Sequence, residues 1–98
     1  MAFDWIDAGP SKQFGAALAL FYAAKLPIDV DKEDKKYANK KEFVMKKMFE
    51  QIEQFKLENR LNLYKKAQLG NAFKWALKDS GFPGREIDQL TAVVIRQL

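Results

Sequence analysis

The chain has 98 residues, no cysteine, no histidine and a formal net charge of +4, with 48% hydrophobic and 13% aromatic residues. That length makes one domain, 1–98, with one modest core, and the apolar content is above that of a disordered chain. The two missing residue types exclude a disulfide framework, thiolate metal sites, histidine-based nucleophilic catalysis and the usual zinc and haem ligands.

The chain start sets Asp4 and Asp7 against Lys12, where a secretory signal needs a positive region, so the sequence predicts a cytoplasmic protein. Phe3, Trp5 and Ile6 are expected to cap the first helix. That helix is predicted over about 10–25. Pro10 suits a first helical turn, where its missing N–H costs nothing. Phe14, Leu18, Phe21 and Tyr22 give it a stripe, and Ala16, Ala17, Leu20, Ala23 and Ala24 make it apolar nearly all round. Such a helix is expected to be buried centrally. Leu26-Pro27 ends it, because proline pushes its predecessor out of the helical region.

A charged loop is predicted at 27–39, with the frayed entrance of the next helix as the alternative. The segment 28–41 holds four acids and five lysines around one aromatic, with no core-forming period. Asp29-Val-Asp31 opens like a calcium loop. Counting from Asp29, however, Asp34 stands where the required glycine belongs and Lys40 where the required glutamate belongs.

The second helix is predicted over 40–59, where Met45, Met48, Phe49, Ile52 and Phe55 recur at spacings of 3, 1, 3 and 3. The third is predicted over 62–79, with Asn62 as N-cap and Gly81 as the left-handed stop. Leu63, Ala67, Gly70, Phe73 and Leu77 are expected to face inward, with Leu69, Ala72 and Ala76 beside them and the small residues Ala67 and Gly70 admitting a close neighbour. After the corner Phe82-Pro83-Gly84, a fourth helix is predicted over 85–98 on the stripe Ile87, Leu90, Val94 and Leu98. The β-branched run from Thr91 to Ile95 offers a strand as the competing assignment. The fold class is therefore all-α, a small bundle of about four helices. Its expected core is Phe14, Leu18, Phe21, Met48, Phe49, Ile52, Phe73, Leu77, Leu90 and Val94.

Charge is unevenly placed. Residues 32–78 carry thirteen Lys or Arg and six acids, whereas residues 1–31 are net negative. On the third helix, Tyr64, Gln68, Asn71, Trp75 and Lys78 follow at spacings of 4, 3, 4 and 3, with Lys65 and Lys74 beside them. Aromatics, amides and lysines in one stripe suit a protein interface, where Trp and Tyr serve as anchors. They equally suit a nucleic-acid surface. A third reading packs Trp75 and Tyr64 under a neighbouring segment. A second basic group comprises Lys32, Lys35, Lys36, Lys40, Lys41, Lys46 and Lys47, with Lys36, Lys40 and Lys47 on one helix side. None of the three arginines falls in it, which counts against specific readout of bases.

The carboxylate pairs Glu50/Glu53 and Glu86/Asp88 are the candidates for acid–base work, and both fit ordinary helix-surface or helix-start roles. No phosphate-binding or dinucleotide glycine motif occurs. The sequence thus predicts a non-enzymatic helical interaction or adaptor module without cofactor, metal or membrane association. Its expected partner is another protein or its own copy, through Tyr64, Lys65, Gln68, Asn71, Lys74, Trp75 and Lys78. Weak, largely sequence-independent nucleic-acid binding by 32–78 is the alternative.

Overall fold

A computed structural model of the chain describes residues 7–26 and 35–98, and these form four helices with no strand among them. They are α1 (Gly9–Lys25), α2 (Lys35–Glu58), α3 (Leu63–Asp79) and α4 (Gly84–Gln97). The expected cap of Phe3, Trp5 and Ile6 lies outside the described residues, as do positions 27–34 of the expected loop, including the start of the failed calcium motif.

The helix ends follow from local chemistry. At the start of α1, the Asp7 Oδ1 accepts the Gly9 N–H at 3.1 Å, and Pro10 occupies the first turn. At the start of α3, the Asn62 side chain accepts the Lys65 N–H at 2.8 Å. The end of α3 is a Schellman turn. Gly81 has φ 90°, its N–H reaches the Lys78 carbonyl at 3.0 Å, and the Phe82 N–H reaches the Leu77 carbonyl at 3.3 Å. The buried Phe82 ring then packs at 5.6 Å from Tyr22. Helix wins over strand for the run from Thr91 to Ile95, because Ile87, Leu90 and Val94 all turn into the core at spacings of 3 and 4.

One boundary needs correction. Helix α2 begins at Lys35, so 35–39 are its first turns rather than loop. Tyr37 supplies the reason. It is buried, in phase with Val44 and Met48, and gives this lysine-rich turn an apolar anchor.

The packing is of two kinds. Helix α1 meets α3 at backbone distance: Ser11, Gly15, Leu18, Ala19 and Tyr22 face inward. A Cβ added at Gly15 would land on the Leu69 carbonyl. Gly70 receives the Ile95 side chain of α4, where an added Cβ would stand 2.9 Å from its Cδ1. Helix α2 joins through larger side chains: Tyr37, Val44, Met48 and Ile52 are buried, and Phe55 stacks on Phe14 with ring centres 4.3 Å apart.

Of the expected core, Leu18, Met48, Ile52, Phe73, Leu77, Leu90 and Val94 are buried together. Phe14, Phe21 and Phe49 are only partly buried at its edge. Helix α1 is not covered all round either: Ala17, Leu20 and Ala24 are exposed. Alanine and glycine raise its apolar content, but its inward face is narrower, with the small residues Ser11, Gly15 and Ala19 beside Leu18 and Tyr22.

Candidate partner-binding surface on the third helix

The inward face of α3 is set by its two neighbours. Leu69, Gly70, Phe73 and Leu77 are buried between α1 and α4. Two residues expected to face inward do not: Leu63 is 84% exposed, and Ala67 is exposed too. The helix is turned toward Leu69, because the close contact with Gly15 falls on the Leu69 carbonyl. That rotation moves Leu63 and Ala67 outward. It also draws Lys65 and Gln68 toward the packed side, where both are half-buried. Lys65 directs its Nζ to the Arg60 carbonyl at 3.5 Å.

The remaining five candidates are exposed together on one side of the helix. Trp75 is 51% exposed and Tyr64 is 45% exposed, with Asn71, Lys74 and Lys78 between and beside them. The Lys78 ammonium lies over the Trp75 ring, 4.7 Å from its centre. Leu63 and Ala67 add apolar surface to this face, so it is less polar than the spacing of Tyr64, Gln68, Asn71, Trp75 and Lys78 alone implies.

At its C-terminal end the face opens onto a cleft of about 240 Å³ between α3 and α4, lined by Lys74, Lys78, Phe82, Gly84, Ile87 and Asp88. Phe82 and Ile87 are buried and give the cleft an apolar floor, while the two lysines and Asp88 stand exposed at its rim. The sequence signal for this cleft was the corner Phe82-Pro83-Gly84, which sets the start of α4 against the end of α3.

The carboxylate pairs are accounted for by local contacts. Glu50 pairs with Lys47 at 3.6 Å, and Glu53 with Lys56 at 3.3 Å, both on the surface of α2. Glu86 is buried, and its Oε1 accepts the Tyr22 hydroxyl at 3.1 Å, whereas Asp88 is exposed. Burial, then the neighbouring Glu86 carboxylate and hydrogen bonding with Tyr37, hold the Tyr22 phenol far above the ordinary tyrosine range. The hydroxyl therefore stays neutral at ordinary pH and joins α1 to α4 as a polar tie, with Tyr37 of α2 beside it. Sequence reasoning missed this tie because its members are 64 residues apart.

Among the described residues, no group of three or more Asp or Glu side chains gathers as a metal site would. No described helix is long and apolar enough to cross a membrane. Comparison with protein-family models, with curated proteins and with solved structures finds no match to the chain.

Proposed function

We propose that this protein is a small non-enzymatic interaction module that binds another protein, or its own copy, through the outer face of α3. The observation that carries the reading is the half-exposure of Trp75 and Tyr64 on a helix whose opposite side is fixed between α1 and α4. Large amphipathic rings held rigidly at a surface lose little entropy on binding and act as anchors. The adjoining cleft, with its floor of Phe82 and Ile87, accepts an apolar side chain from the partner, and Lys74, Lys78 and Asp88 form a polar rim.

Two observations favour protein over nucleic acid at this face. The Lys78 ammonium occupies one side of the Trp75 ring, the surface on which a base would stack. Leu63 and Ala67 bring aliphatic area, which contributes to a protein interface and little to phosphate binding.

The test begins with tryptophan quenching in a Trp5→Phe background, where Trp75 reports alone and is expected to be accessible. Sedimentation and affinity capture then compare the wild type with Trp75→Ala. A specific complex should weaken by about 2 kcal/mol or more in the variant and persist at about 0.5 M salt. A complex lost at that salt and destroyed by nuclease would replace this reading with nucleic-acid binding. Complexes indifferent to Trp75→Ala would remove α3 as the interface.

A further inference from the structure

A second surface, formed by α1 and α2, is independent of the α3 face. Leu20 is 58% exposed and Phe43 is 59% exposed, and Ala17 and Ala24 lie open on the same outer side of α1 as Leu20. Between the helices runs a groove of about 430 Å³ whose apolar walls include Phe21 and Phe43. Each ring carries a lysine ammonium: Lys25 lies 5.9 Å from the centre of Phe21, and Lys47 lies 5.4 Å from that of Phe43. Lys40, one turn before Phe43, is exposed on the same side of α2. The one acid lining the groove is Glu50, which pairs with Lys47 at 3.6 Å. The surface is thus an open groove between side chains of α1 and α2, apolar at Phe21 and Phe43 and with a basic edge.

We infer that this groove binds an acidic amphipathic helix of a partner protein. The apolar stripe of that helix would lie on Phe21, Phe43 and Leu20, and its carboxylates would meet Lys25, Lys40 and Lys47. A groove between two helices admits a third along its length, read by residues at helical spacing. On α2 the reading positions Lys40, Phe43 and Lys47 are themselves spaced by 3 and 4. Charge decides the sign of the partner: the lining holds Lys25 and Lys47 against Glu50, and Lys40 beside it makes the edge net positive. A nucleic acid fits less well. The aliphatic half of the surface gives bases nothing to stack on, and lysine alone offers no bidentate contact to phosphate.

The experiment is selection from a displayed library of helical peptides of about 18 residues, roughly five turns, with acidic, basic and apolar residues varied on every face. Enriched peptides should be net acidic with apolar residues three and four apart, and should become helical on binding. Their affinity should fall about tenfold or more on F43S and on K47E, as removal of an anchor or reversal of a facing charge does, and should hold on W75A. Phe43 and Lys47 are exposed, so circular dichroism should show both variants folded. The proposal fails if no peptide is enriched, if those enriched are basic or neutral, or if F43S and K47E bind as the wild type does. It also fails if single-stranded oligonucleotides or anionic vesicles bind in a Phe43-dependent way more tightly than any peptide. Self-association abolished by F43S would assign the face to a second copy instead.

Discussion

Helix α1 and helix α2 hold to the rest of the molecule in opposite ways. The contact of α1 with α3 uses small residues, Ser11, Gly15 and Ala19, and brings backbone against backbone at Gly15 and Leu69. The contact of α2 uses the ends of large side chains, Tyr37, Met48, Ile52 and Phe55, while its outer side is lysine-rich. In the first kind of contact, shape leaves no room for adjustment. In the second, flexible methionines and half-buried rings adapt. The difference predicts that α1, α3 and α4 form the rigid unit and that α2 is the element able to loosen at its start.

The largest expected effect lies in the rigid unit. Phe73 is fully buried against α1, and Phe73→Ala should cost about 3–5 kcal/mol in chemical unfolding. Phe49 sits half-buried at the edge, so Phe49→Ala should cost distinctly less, by about 1 kcal/mol or more. Equal costs for the two would erase the distinction between the regions. Gly15→Ala is the sharper probe. It adds one methyl group, yet that group meets the Leu69 carbonyl, so the helices must part. The expected loss is about 1–3 kcal/mol, against the gain that alanine normally brings to a helix. A neutral or stabilised Gly15→Ala would show that α1 and α3 can separate freely.

Next is the polar tie inside the rigid unit, between Tyr22 of α1 and Glu86 of α4. Tyr22→Phe removes a donor from buried Glu86 and should cost about 1–3 kcal/mol near neutral pH. The pH dependence has a definite sign. The folded pKa of Tyr22 is raised and the unfolded value is about 10, so its stabilising contribution is complete below that pH and is lost as pH rises beyond it. The gap between wild type and Tyr22→Phe, measured by urea unfolding, should therefore narrow above pH about 10. A gap that stays constant to higher pH would mean that Tyr22 is not protected from ionisation.

The same contrast explains what the sequence could reveal. The ends of α1, α3 and α4 were legible because single residues mark them: Pro10 with Leu26-Pro27, Asn62 with Gly81, and Pro83 with Gly84. The start of α2 was not, since Tyr37 is one aromatic in a run of lysines and acids, and its anchoring depends on distant Tyr22. Of the stripe read for α1, Leu18 and Tyr22 are fully buried and Phe14 and Phe21 lie at the core's edge, whereas the small residues Ser11, Gly15 and Ala19 that share the packed side were missed, because hydropathy scarcely distinguishes them from an apolar surround. The α3 surface was half legible. Its exposed aromatics follow helical spacing, but the rotation that exposes Leu63 and Ala67 and half-buries Lys65 and Gln68 is fixed by Gly15 on another helix. The cleft floored by Phe82 and Ile87 exists only once α3 and α4 are joined.

The smallest expected effect tests the loosening of α2 directly. Tyr37 is the buried side chain nearest the start of that helix, and the lysines and exposed side chains around it offer little else to bury. If residues 35–43 can open without the rest, then Tyr37→Ala costs no more than the free energy that holds this segment in place. Global unfolding would then start from an already opened form. The expected loss is about 1–2 kcal/mol, below that of Phe73→Ala although both remove a ring from a buried site. Native-state amide exchange separates the two possibilities. In Tyr37→Ala, exchange should quicken strongly over 35–43 and change little at Leu69, Phe73 and Leu77, whose opening follows the rigid unit. Uniform quickening through α2 and α3 together would mean that the four helices open as one, and that the adaptable contact of α2 confers no independence on its first turns.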